Sequence, residues 1–165
     1  VTQNPRERWP EVVQLLTENT SWGIQRFSDP KYLLRRIEIE ECIRKEFIAK
    51  GGKPKLSNPI YFFLGRHRRF EEHRQNKGYV IDLKNVATDS ISFTYGDSML
   101  AYDDDYRKQM GEKYQNTLCA KIYRIENLES LFSHPNFPKS DPLAVEAQLW
   151  EKPQPEIVSL LKIDG

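Results

Sequence analysis

Residues 142–153 read PLAVEAQLWEKP. In an extended chain Leu143, Val145, Ala147 and Leu149 fall on one face, and Ala144, Glu146, Gln148 and Trp150 fall on the other. One face is apolar. The other carries a carboxylate, an amide and an indole within about 14 Å of strand. A solvent-facing strand end would hold such a trio, and so would the floor of a catalytic cleft. On the second reading Glu146 is the residue of interest.

Working outward, three more runs have strand character. Residues 60–64 (IYFFL), 79–83 (YVIDL) and 90–95 (SISFTY) are short, aromatic or β-branched, and bounded by Pro, Gly, Asn or Asp. Residues 118–123 read as a further strand and 157–163 as a last, edge-like one. Earlier in the chain the period changes. Trp9, Val12, Val13 and Leu16 follow helical spacing, with Pro10 in a first turn. Asp29 and Pro30 then open a long helix that Gly51-Gly52 closes, with Leu33, Leu34, Ile37, Ile43, Phe47 and Ile48 as its buried stripe. Asp97 is placed to cap a short helical segment through Tyr102, and 126–132 reads as a helical turn or two. Helices precede strands without βαβ alternation. The expected class is α+β, with N-terminal helices followed by a mixed, mainly antiparallel sheet. The 165 residues suit one domain, helical over 1–52 and strand-rich over 53–165.

Composition narrows the function classes. Net charge is +1, too little to hold nucleic acid by bulk charge, although a local patch still could. No apolar run approaches a membrane span and no signal-peptide pattern opens the chain. The sequence starts at Val1 and its first methionine is Met99, which suggests a processed or recombinant fragment. Cys42 and Cys119 stand apart from any Cys-rich framework and read as two buried thiols of a reducing, cytoplasmic compartment. P-loop, dinucleotide-binding, nucleophile-elbow and zincin motifs are all missing from the sequence.

Two stretches carry chemistry of their own. Residues 65–77 (GRHRRFEEHRQNK) set Arg66, Arg68, Arg69, Arg74 and Lys77 against only Glu71 and Glu72, with Phe70 as a stacking face. Guanidinium forks after a strand suit phosphate or carboxylate, though a solvated loop has the same composition. His67 and His73 lack the spacing and partners of metal ligands. In residues 90–95, Ser90, Ser92 and Thr94 alternate onto one face opposite Ile91, Phe93 and Tyr95. Such a hydroxyl ladder either faces solvent or holds a ligand and positions a carboxylate. Asp103-Asp104-Asp105 reads as a solvated turn rather than a cation site.

Taken in order, the arginine after the first strand (Arg66), the Ser/Thr strand (Ser92, Thr94) and the late strand glutamate (Glu146) resemble the arginine–serine–glutamate order of ADP-ribosyltransferases. The spacing is similar, more particularly, to DarT-type enzymes that ADP-ribosylate DNA bases. The stretches concerned are 60–66, 79–98 and 145–163, about 100 residues from Ser57 onward. Ala144 stands where the family carries a second Glu or Gln. The resemblance implies a split sheet and an NAD-dependent mono-ADP-ribosyltransferase acting on nucleic acid or protein, with toxin-like biology and an antitoxin partner. It implies Glu146 and Arg66 as catalytic residues. Tyr61, Ser92, Thr94 and Tyr95 would meet NAD, with Tyr61 or Tyr95 stacking on nicotinamide. Arg68, Arg69, Arg74 and Lys77 would meet a nucleic-acid acceptor, and no metal would be required. Two rival readings stand beside it. One is a metal-dependent nuclease in which Glu146-Ala147-Gln148 imitates the E-x-K strand of restriction-enzyme-like folds, with Asp82 or Asp141 as another ligand. The other is a binding domain in which Glu146 is a surface carboxylate and Trp150 packs against Pro153.

Overall fold

The computed structural model describes residues 30–65, 79–140, 142–155 and 158–160. The expected helix around Trp9, the cap at Asp29 and the basic run from Arg66 to Lys77 lie outside them. The chain divides into two compact units, Val1–Glu38 and Ile39–Gly165. Every described strand belongs to the second.

Helix α1 spans Pro30–Ala49. Its C-terminus closes as a glycine-terminated cap. Gly51 takes φ +86°, its N–H returns to Ile48 O at 2.9 Å, and the Gly52 N–H reaches Phe47 O at 2.9 Å. Gly52 is also needed for space, because a Cβ there would sit 2.5 Å from the Phe47 ring. From Ile39 onward the buried apolar positions recur every fourth residue, at Ile39, Ile43 and Phe47, which cluster with Ile122 and Trp150. Two members of the expected stripe are exposed instead, Leu34 at 49% and Ile48 at 45%. Ile48 is one residue, about 100° of helical rotation, past Phe47, and so leaves the buried side.

The strands form two antiparallel sheets. β1 (Ile60–Phe63), β4 (Val145–Leu149) and β3 (Ile91–Tyr95) make a three-stranded sheet in the order β1-β4-β3. β2 (Tyr79–Ile81) pairs with β5 (Val158–Leu160) in a separate ribbon. All pairings are antiparallel, so the class is α+β as expected. The alternation in 142–153 is obeyed. Val145, Ala147 and Leu149 join Ile91, Phe93 and Tyr95 in the main core, against Leu118, Leu131 and Leu143. The opposite face carries the polar side chains, and β4 is nonetheless buried along its whole length.

The intervening chain builds short caps and turns. Asp97 caps α2 (Ser98–Tyr102), as expected, accepting from Met99 N at 2.9 Å and Leu100 N at 3.4 Å. Asp103 caps α3 (Asp104–Gln109), so the three aspartates open a helix rather than a loop. The region expected to be helical near 126–132 is a 3₁₀ turn, Ile125–Asn127, running into α4 (Leu128–Phe132). The strand expected over 118–123 does not form. Asn116 turns the chain by accepting from Leu118 N at 3.0 Å, and Ala120 takes φ +55°. Only Tyr123 reaches the sheet, in a lone bridge with Phe93. Glu46 ties α1 to this region, accepting from Tyr102 Oη at 2.7 Å and Ile122 N at 2.9 Å. Those donors, with Lys50, outweigh burial and hold its carboxyl below the usual range.

Candidate active site

β4 is the middle strand, and this decides what surrounds Glu146. Its register neighbours are Thr94 on β3 and Phe63 on β1, while Gln148 lies between Ser92 and Tyr61. Side chains paired across an antiparallel ladder share a face. Glu146, Gln148, Ser92, Thr94 and Tyr61 therefore stand together. The carboxyl of Glu146 is buried, with 6% of the residue exposed, and Gln148, Ser92 and Thr94 are fully enclosed. The rival expectation of a surface carboxylate at Glu146 is overturned, and the hydroxyls of β3 do not face solvent.

Buried polar groups must find partners, and these do. Glu146 Oε1 accepts from Ser98 N at 3.2 Å and from Gln148 Nε2 at 3.1 Å. Gln148 Nε2 also donates to Thr94 Oγ1 at 3.0 Å, and Gln148 Oε1 accepts from Ser92 Oγ at 3.0 Å. Ser92 Oγ in turn accepts from Trp150 Nε1 at 2.8 Å, and Thr94 Oγ1 donates to Gly96 O at 3.0 Å. Burial pushes the Glu146 carboxyl up from its ordinary value of 4.5 to about 7, and the negative charge of Asp97 adds to the rise. Donors from Ser98 and Gln148 oppose both effects. A carboxyl poised near neutrality can exchange a proton under ordinary conditions, which an exposed glutamate does poorly.

The other residues singled out from sequence fall into three groups. Ser92 and Thr94 join Glu146, through Gln148 rather than directly. Tyr61 shares their face, and its hydroxyl donates to the buried Glu40 Oε1 at 2.9 Å while Asn58 Nδ2 donates to Oε2. Tyr95 does not join them. Its ring projects to the opposite face with no exposed surface, 5.3 Å from Phe137, and its hydroxyl accepts from Leu143 N at 3.1 Å. The stacking role expected of it is closed off by odd-even alternation along β3. Arg66, Arg68, Arg69, Arg74 and Lys77 lie outside the described residues. β1, whose last residue Phe63 pairs with Glu146, is the strand that precedes them.

Residues of the rival readings are also placed. Asp82 caps a 3₁₀ turn at Leu83–Asn85, accepting from Lys84 N at 2.9 Å, and follows β2 rather than β4. Asp141 lies outside the described residues. Trp150 is fully buried, its ring stacked on Phe47 at 6.0 Å between centroids. A recess of about 310 Å³ opens at the far end of β4, lined by Lys55, Asn85, Leu149, Glu151, Lys152 and Gln154 among others. Glu146 and Ser92 are not on its wall.

From sequence Gln148 enters only as the neighbour of Glu146 on the polar face and as the stand-in for lysine in the nuclease reading, and Asp97 only as a cap, yet Gln148 donates to Glu146 and Asp97 biases its charge. The signal for Gln148 is the period of two that puts it beside Glu146. Asp97 has only its capping role to announce it, since no sequence rule brings a cap 49 positions away against a strand. Comparison with protein-family models, with curated proteins and with solved structures finds no match for this chain.

Proposed function

We propose that the chain is an NAD-dependent mono-ADP-ribosyltransferase, with Glu146 as its carboxylate and a nucleic acid or protein as acceptor. One observation carries the reading: a buried glutamate near neutrality, on a middle strand, is held through Gln148 by the hydroxyls of the Ser/Thr strand. When nicotinamide leaves NAD, the ribose carbon takes on oxocarbenium character. A fixed carboxylate beside it stabilises the transition state more than the ground state. Ionised Glu146 supplies that charge or accepts the acceptor's proton. Arg66 is assigned to the pyrophosphate or ribose on sequence grounds, and Tyr61 to the nicotinamide. The basic residues Arg68, Arg69, Arg74 and Lys77 are assigned to a nucleic-acid acceptor, whose modification should weaken as salt rises.

The test is label transfer from NAD onto DNA, RNA and the protein itself. Wild type transfers label, and Glu146→Gln loses it by about 10²–10³-fold, the usual loss for a group that stabilises transition-state charge. Absence of transfer and of NAD consumption in the wild type sinks the proposal. A second reading draws on the enclosure of the network, in which Glu146 Oε1, Gln148, Ser92 and Thr94 bond one another or the backbone: an interaction domain in which Glu146 only organises the sheet. In that case NAD leaves the melting temperature unmoved while a macromolecular partner raises it.

A further inference from the structure

The polar chain along the buried face has a direction. An indole N–H can only donate, so Ser92 Oγ must receive from Trp150 at 2.8 Å. Ser92 then has its own proton to give, and the Gln148 oxygen 3.0 Å away takes it. That orients the Gln148 amide, turning its NH₂ toward Thr94 Oγ1 and Glu146 Oε1. Thr94 can receive because its own proton is spent on Gly96 O. The reverse amide orientation is poorer at every step. Ser92 would receive from both Trp150 and Gln148 and lose the amide as an acceptor. The Gln148 oxygen would face the carboxyl of Glu146 and the oxygen of Thr94. A misdirected polar group sealed in this interior is costly.

We propose that Trp150 and Ser92 are positioning residues: the indole N–H fixes the sense of the relay, so that Glu146 Oε1 is a permanent acceptor and Oε2 is the oxygen that gains and loses a proton. Oε1 already receives two N–H groups, from Gln148 and from Ser98 N. Among the described residues no backbone N–H or amide donates to Oε2, and the Ser98 hydroxyl adds a hydrogen bond to the carboxyl. The ionisable neighbour facing it is Asp97, at the cap of α2. The proposal stands on the hydrogen-bond geometry and holds whether or not the carboxyl serves NAD chemistry.

The experiment titrates the Glu146 carboxyl by carbon NMR in the full chain labelled at glutamate, with Glu146→Gln identifying the resonance. Trp150→Phe keeps an aromatic ring against Phe47 but removes the donor, and Ser92→Ala removes the link. Both free the Gln148 amide to turn its oxygen toward Glu146, which favours the protonated acid. Each should therefore raise the midpoint by about one pH unit or more, tenfold in the ionisation constant. A residue that only fills space would change stability and leave the midpoint alone. A folded Trp150→Phe or Ser92→Ala protein with an unmoved midpoint overturns the proposal. Should either variant fail to fold, the wild type decides. Its Gln148 NH₂ resonances must follow the Glu146 titration while the Trp150 indole proton stays protected from exchange at both ends, and failure of either overturns it.

Discussion

Glu146 binds its proton more tightly in the folded protein than in the unfolded chain, because the carboxylate must leave water and face Asp97. The sign of the pH dependence follows. With a folded value near 7 against an ordinary 4.5, the stabilisation from proton binding is complete below pH 4.5 and lost as pH rises to about 7. The loss is on the order of 3 kcal/mol, and stability from this group is flat above that range. Glu146→Gln should remove this slope and be the more stable protein at pH 8, as urea unfolding midpoints between pH 4.5 and pH 8 would show. Removing the neighbouring charge has the opposite sense for the proton. Asp97→Asn keeps a capping side chain for α2 and should move the Glu146 midpoint downward in an NMR titration. Activity that depends on ionised Glu146 would then persist to lower pH. No downward movement would mean that burial alone sets the value.

At the level of elements, the sharpest fit is between the end of α1 and the ring it shields. Gly51 needs its positive φ, and Gly52 needs the absence of a Cβ. Gly52→Ala should cost about 1–3 kcal/mol by forcing Phe47 off its contact with Trp150, measurable as a shift in denaturation midpoint. A change below about 0.5 kcal/mol would show that the ring moves aside freely. The glycine pair, Pro30 and the repeat of apolar residues make this helix legible from sequence alone. β1 and β3 are legible as well, from runs of aromatic and β-branched residues between turn formers, and β4 from its period-two alternation. The segment 118–123 is not. Leu118, Ile122 and Tyr123 have strand character, but the Asn116 turn and the left-handed Ala120 break the run. Side-chain capping by an asparagine two residues upstream outranks propensity.

For the molecule as a whole, a late strand becomes the middle of the sheet. β4 is inserted between β1 and β3, so residues more than 80 positions apart meet across it. Which face of each strand is polar can be read from alternation, and so Glu146, Ser92 and Thr94 are named together on sequence grounds. That this polar face is sealed cannot be read that way. The apolar residues of α1 that cluster with Trp150, on the same face of β4, come from far along the chain, a long-range matter that period-two patterns do not encode. NAD at ten times its dissociation constant should raise the melting temperature by about 3–6 °C, whether or not Glu146→Gln is introduced, while transfer is lost only in the variant. No shift in either protein would separate this chain from NAD altogether.

The two cysteines differ in a way the sequence does not foretell. Cys42 lies exposed on α1, whereas Cys119 is buried and burial pushes its thiol upward. Neither is bonded to the other. An alkylating reagent should consequently mark the helix within its ordinary reaction time and leave the interior sulfur untouched until the fold opens. The lag between the first and second mass increment is then a clock for that opening, obtained without altering a single residue.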